Sequence, residues 1–138
     1  MSYLLDTNAV IALLRNEPAS VRSRLRQAVS KDVPVAVSTV VLYELWYGVA
    51  RSARRQENTD RLRVFLSGTV GVVVFDDDDA RAAGELRAAL EAARTPIGPY
   101  DLLIAAQALR RSTTLVTANS AEFARVSGLA WQDWSDSR

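Results

Sequence analysis

"YLLDTNAVIALL", Tyr3–Leu14, is the stretch whose reading decides the fold. Three largely apolar residues run into Asp6-Thr7-Asn8, and an apolar run resumes at once. The pattern predicts a short buried strand, Tyr3–Leu5, turning directly into a helix through Val10–Arg15. A carboxylate at that turn sits where parallel sheets form their ligand crevices, outside the carboxyl ends of the strands. Asp6, Thr7 or Asn8 can equally cap the helix. Thr7 and Asn8 suffice as caps, which leaves Asp6 available for chemistry.

The same alternation repeats along the chain. Pro18 opens a second helix running to about Ser30, and "VPVAVS" (Val33–Ser38) reads as a buried strand, with Ser38 or Thr39 capping the helix behind it. That helix ends near Gly48–Ala50, and another covers about Ala53–Leu66. A third strand is expected at Val70–Phe75, followed by a long helix to Arg94 that opens with four acids. "TPIGPYDLLIAAQALRR" breaks at Pro96–Pro99 and continues as a strongly apolar helix. "TTLVT" (Thr113–Thr117) is a fourth strand and "LAWQDW" (Leu129–Trp134) a short fifth. Short apolar strands alternating with helices predict an α/β fold, a parallel sheet with helices on both faces.

The chain has 138 residues, which suits one domain over residues 1–138 with its own core. No apolar run approaches the ~18 residues of a membrane span, and no basic leader with a small-residue cleavage site is seen, so a cytoplasmic protein is expected. Cys and His are both absent. Thiolate and imidazole chemistry is thereby excluded: no disulfides, no Ser-His-Asp triad, no His-ligated zinc. Lys31 is the only lysine among 17 basic residues. Any catalysis must rest on carboxylates and hydroxyls, which suit hard, oxygen-preferring ions such as Mg²⁺ or Mn²⁺. The net charge of +1 is neutral on nucleic-acid binding, although Arg22, Arg24 and Arg26, and then Arg51, Arg54, Arg55, Arg61 and Arg63, form two basic clusters. These are either solvated helix faces or a binding surface.

Three further acids stand out. Glu44 follows Val40 and Val41 by four and three residues, so it shares a helix face with apolar residues. A carboxylate there needs a cation or a partner, and Arg51 is the salt-bridge alternative. Asp101 falls in the first turn of the apolar helix that Pro99 opens, where the helix dipole favours an acid. Because that helix should be buried, its N-terminus should lie at a sheet end, either the one Asp6 occupies or the opposite one. After the fourth strand, "TANSAEF" offers Asn119, which can coordinate through its amide oxygen or cap a short helix, and Glu122, a ligand or a surface acid. The run Asp76–Asp79 reads as a solvated patch of capping and dipole-favoured acids.

"LLDTN", "YELWYG", "IGPYDLLIAAQAL" and "LVTANSAEF", in this order and at this spacing, resemble the PIN-domain family, most closely the ribonuclease toxins of VapBC-type toxin–antitoxin pairs. The resemblance runs from about Ser2 to Trp134. It implies an α/β/α sandwich with a central parallel sheet of about five strands. It also implies a metal-dependent endoribonuclease in which Asp6, Glu44 and Asp101 hold Mg²⁺ or Mn²⁺. The family's "TNN" or "TND" segment reads "TAN" here, matching Asn119 with Ala118 in place of the usual Asn. Glu122 matches an acid that often precedes Phe in the family. A cognate antitoxin that enters the cleft, an RNA substrate, a homodimer, and a heterotetramer or larger assembly with the antitoxin are implied in the same way.

Two other readings compete. A phosphoacceptor Asp at a strand end also suits a receiver domain or a haloacid-dehalogenase-type phosphatase. Both rely on a lysine near the site, whereas Lys31 precedes the second strand, and the phosphatase pattern wants Asp where Asn8 stands. The second is a catalytically weak binding module acting through its antitoxin in transcriptional autoregulation. Retention of all three core acids argues against it.

Overall fold

The computed structural model describes residues 1–136. It contains five strands: β1 (Tyr3–Leu5), β2 (Val35–Ser38), β3 (Gly71–Val73), β4 (Thr114–Val116) and β5 (Trp131–Gln132). Seven helices separate them: α1 (Thr7–Arg15), α2 (Ala19–Ser30), α3 (Thr39–Ala50), α4 (Arg55–Leu66), α5 (Asp77–Ala92), α6 (Pro99–Arg110) and α7 (Ser120–Phe123). All strands belong to one sheet of order β3-β2-β1-β4-β5, and every pairing is parallel. The expected parallel α/β/α sandwich is therefore what forms.

The topology follows from connection handedness. Right-handed crossovers carry the chain from β1 to β2 to β3, which places α1 to α4 on one face. The chain then returns past β1 to β4 and β5, so α5 and α6 cover the other face, packed closely on each other. The direction of travel reverses between β1 and β4, and such a reversal point is where an open α/β sheet forms its crevice.

The central strands are apolar on both sides because both sides are covered. Leu4, Leu5, Val37, Leu115 and Val116 are buried, and α1, α3 and α6 add Val10, Leu13, Val41, Ile104 and Ala105 to one continuous core. Each fully buried Leu or Val contributes about 1.5–3 kcal/mol of transfer free energy. Trp134 closes the β5 edge, its ring edge-on to Tyr3 with centroids 5.0 Å apart. No helix among the described residues is long and apolar enough to cross a membrane.

β3 is shorter than the expected Val70–Phe75. It is an edge strand paired only with β2, and Val72 and Val74 are exposed. The ladder stops because the Phe75 N–H turns to the Thr39 hydroxyl, 3.0 Å away.

The acidic run is the larger correction. Asp76, Asp77 and Asp78 are exposed, but Asp79 has no exposed side-chain surface. Asp76 and Asp79 form a reciprocal capping box at the start of α5. Arg110 Nε donates to Asp79 Oδ1 at 2.8 Å, Arg111 to Oδ2 at 3.0 Å, and Gln107 Nε2 to Oδ2 at 3.1 Å. Burial opposes the charge on Asp79, yet these bonds and the Asp76 N–H hold its carboxyl far below the usual carboxylate range. Asp79 is a buried anchor tying the N-terminus of α5 to the C-terminus of α6. The solvated-patch reading failed because the two arginines lie more than thirty residues downstream.

Candidate functional site

The reversal point between β1 and β4 builds the site. β1 and β4 are in register from Tyr3↔Thr114 to Leu5↔Val116, and the Asp6 N–H continues the ladder to the Val116 carbonyl at 3.0 Å. Asp6 and Thr117 thus emerge side by side at the strand ends. β5 pairs with β4 through Val116↔Gln132, so Asp133 leaves the sheet at the same end.

Asp6 is buried and is itself the N-cap of α1, its Oδ1 accepting the Ala9 N–H at 2.8 Å. The expectation that Thr7 or Asn8 would cap and release Asp6 is corrected: α1 begins at Thr7, three residues before the expected start, because the cap is Asp6. One carboxylate oxygen serves the helix while the group as a whole faces the crevice. Burial pushes the Asp6 carboxyl up; hydrogen bonds from the Thr117 side chain and the Ala9 N–H oppose this, and the charges of Glu44 and Asp133 add to it.

Glu44 projects from the middle of α3, half-buried, and its Oε1 accepts the Thr7 hydroxyl at 2.8 Å. The salt bridge to Arg51 does not form. The Arg51 guanidinium lies over the Tyr47 ring instead, 5.2 Å from its centroid. Among the described residues Glu44 therefore forms no ion pair, and its charge is felt by Asp6.

Asp101 occupies the third position of α6, in the turn that Gly98 and Pro99 open. Burial pushes its carboxyl up to about 7, reinforced by the charge of Glu122, a shared hydrogen bond with Glu122, and the charges of Asp6 and Glu44. Glu122 moves the other way. The Gly98 N–H donates to its Oε1 and the Asn119 amide to its Oε2, and these bonds keep it ionised. Asp101 and Glu122 titrate as a pair, with Asp101 the raised member and Glu122 the lowered one. At Gly98 a Cβ would stand 3.3 Å from Glu122 Oε1, so a side chain there would push the Glu122 carboxylate by a few tenths of an ångström.

Asp101 thus feels the charges of Glu122, Asp6 and Glu44, and Asp6 that of Glu44, at this end of the sheet. Asn119 donates its amide to Glu122. No three acids among the described residues form a closed metal-binding cluster. Thr117 and Asp133 were missed by sequence reasoning. Thr117 ends a predicted strand, which was a usable signal; Asp133 required knowing that β5 lies beside β4.

A PIN-domain family model matches residues 3–129. The chain belongs to the PIN-domain family. This PIN domain is 38% identical over 135 residues to the tRNA(fMet)-specific endonuclease VapC of Shigella flexneri, covering 98% of this chain and 99% of that protein. It is 37% identical over 134 residues to ribonuclease VapC2 of Rickettsia felis, covering 97% and 98%. In three dimensions it is similar to a chain of VapBC2 from Rickettsia felis bound to a DNA fragment from their promoter. There the TM-score is 0.90 at 36% identity, covering 97% and 99%. A chain of VapBC-1 from nontypeable Haemophilus influenzae gives a TM-score of 0.88 at 30% identity, covering 99% and 100%.

The raised Asp101 carboxyl of this PIN domain has a measurable consequence. A carboxyl whose folded pKa is raised binds more protons folded than unfolded, so stability falls as pH rises from about 4 to about 7. Asp101→Asn removes that loss. In metal-free buffer at pH 8 the variant is expected to melt several degrees above the wild type, with the difference vanishing near pH 4, as read by thermal scans across the range.

Proposed function

We propose that this protein is a metal-dependent endoribonuclease of the VapC type, the toxin of a type II toxin–antitoxin pair. The observation that carries the reading is that Asp101 feels the charges of Asp6 and Glu44 at the reversal point of the sheet, while none of the three forms an ion pair among the described residues. The donors suit a hard divalent ion: carboxylate, amide and hydroxyl oxygens, with no imidazole or thiolate in the chain. Burial first, and then neighbouring like charges, push Asp6 and Asp101 up, and a divalent cation would relieve the repulsive part as a proton does.

Asp6, Glu44 and Asp101 would hold Mg²⁺ or Mn²⁺, with Glu122 and Asn119 as further oxygen donors. The ion, when bound, polarises the phosphodiester and lowers the pKa of an attacking water. The protein's own groups do the rest. The Ala9 N–H and Thr117 fix Asp6 in one rotamer, and the Thr7 hydroxyl holds Glu44 toward it. Asp101 carries the titrating proton of the crevice, and its loss above about pH 7 readies the third carboxylate. Glu122, kept ionised by the Gly98 N–H and the Asn119 amide, holds its negative charge beside Asp101.

The partner is a cognate antitoxin that covers the crevice when the toxin is held inactive. An arginine reaching these carboxylates would inhibit by charge-assisted hydrogen bonding. A homodimer, a heterotetramer or larger assembly with the antitoxin, and a cytoplasmic setting complete the proposal.

The test is incubation of total cellular RNA with the purified, antitoxin-free protein in Mg²⁺, in Mn²⁺ and in EDTA. Discrete fragments with either metal, none in EDTA and recovery on adding metal back are expected. Cleavage that persists in EDTA would overturn the metal dependence, and no cleavage under any condition would overturn the enzyme.

A further inference from the structure

The crevice does not end at the carboxylates. Thr7 and Glu44 also form the inner end of a groove of about 300 Å³ between α1, α3 and α4, lined further out by Arg15, Arg51 and Arg61. We infer that this groove carries the RNA backbone away from the cleavage point, with Arg15, Arg51 and Arg61 binding its phosphates. The inference rests on the ribonuclease reading and assigns the substrate's path within it.

Charge is the first argument. The chain has 17 basic and 16 acidic residues, a net of +1. Three guanidinium groups on one groove, whose only acid is Glu44, are a local concentration that the composition does not require. Glu44 already accepts the Thr7 hydroxyl, and of the three arginines only Arg61 meets a carboxylate, the exposed Glu57.

The second argument is that these arginines keep donors to spend. Arg15 is exposed at the end of α1 and, among the described residues, makes no ion pair or side-chain hydrogen bond. Arg51 meets no carboxylate and is steadied by the Tyr47 ring. Arg61 has one exposed contact, to Glu57 at 3.3 Å. An exposed pair of that kind contributes little and exchanges readily for a phosphate. Guanidinium groups match phosphate oxygens in a bidentate manner, which suits this role better than ammonium would.

Spacing is the third. Arg15 lies eight residues beyond Thr7 on α1, about 12 Å along the axis, and Arg51 seven beyond Glu44 on α3, about 10.5 Å. Both cations stand two helical turns from the carboxylates along the two helices that wall the groove. A phosphodiester chain leaving the reacting phosphate meets them with its neighbouring phosphates.

The experiment compares wild type with Arg15→Gln, Arg51→Gln, Arg61→Gln and the triple variant. Arg81→Gln is the control, an exposed residue on the opposite face of the sheet. Binding of a short fluorescein-labelled single-stranded RNA is followed by anisotropy in EDTA across a salt series, and cleavage of the same RNA is measured in Mg²⁺. Each single variant is expected to lower the slope of log K against log salt by about 0.7, and the triple variant by about 2. In cleavage, KM rises while kcat holds. Wild-type affinity and slope in the triple variant, or an equal loss in Arg81→Gln, overturns the groove assignment. The two readings fail separately. A wild type that cuts RNA beside an unchanged triple variant removes the groove and keeps the nuclease. A wild type that binds RNA through these arginines yet cuts nothing removes the nuclease and keeps the RNA surface.

Discussion

Asp6→Asn is expected to abolish metal-dependent RNA cleavage while leaving the fold intact or slightly more stable. The two effects separate because the residue has two jobs. Its Oδ1 caps α1 by accepting the Ala9 N–H at 2.8 Å, and Asn caps a helix about as well as Asp. Its charge is what a cation requires, and Asn removes it. Burial, Glu44 and Asp133 all push the Asp6 carboxyl up, so in the metal-free protein the ionised form is the strained one. A neutral isostere relieves that strain. Transition-state charge stabilisation by a bound ion amounts to several kcal/mol, and each 1.36 kcal/mol is tenfold in rate, so a loss of about 10²–10³-fold or more is expected. The measurement pairs initial cleavage rates in Mg²⁺ with a thermal scan in EDTA. A variant that cleaves at the wild-type rate would remove Asp6 from the proposed ligand set, whatever the scan shows.

Asp79→Ala should produce the largest loss of stability, with no part in the chemistry. The Asp79 side chain is fully buried, while Arg110 and Arg111 each keep about a third of their side-chain surface exposed, at 32%. Removing the carboxylate leaves the arginines able to turn toward solvent. That tempers the 3–5 kcal/mol typical of breaking a buried pair to about 3 kcal/mol. The capping box at α5 and the Gln107 hydrogen bond are lost with it. For a domain whose total stability is about 5–15 kcal/mol, that lowers the melting temperature by roughly 10 °C. Arg81→Ala, which breaks an exposed pair with Glu85, should cost less than about 0.5 kcal/mol. The pH dependence carries the opposite sign to that of Asp101. A depressed carboxylate stabilises the fold above the unfolded pKa of about 4 and loses that contribution as pH falls below it. Wild type and Asp79→Ala should therefore converge in stability on acidification, as equilibrium denaturation at a series of pH values would show. A constant gap down to low pH would mean that packing, and not the ion network, is what the substitution destroys.

These two aspartates mark how far the sequence could be read. Asp6 was legible because its signal is local: an apolar strand, a turn and an amphipathic helix within twelve residues. Glu44 and Asp101 were legible for a related reason, one as a carboxylate on an apolar helix face, the other in the first turn of a helix too apolar to be exposed. Asp79 was not. Within its own run it cannot be distinguished from Asp76, Asp77 and Asp78, and what separates them is a set of partners on another helix. The N-cap of α1 was misassigned for a subtler reason. Asp, Thr and Asn are all good caps, and only the backbone turn after β1 decides which of three adjacent residues takes the position.

Hydrophobic periodicity and composition, both properties of the linear chain, determined the alternating strands and helices, the parallel sheet, the exclusion of imidazole and thiolate chemistry, and the three candidate acids. Tertiary structure alone decided what those acids do to one another. Strand order sets β1 beside β4, so that Asp6 meets Thr117, and it brings Asp133 up on β5. Packing of α6 sets Asp101 against Glu122, which raises the Asp101 carboxyl while Glu122 is lowered. Electrostatic coupling depends on distance through space and on burial, and neither is written in the spacing of residues along the chain.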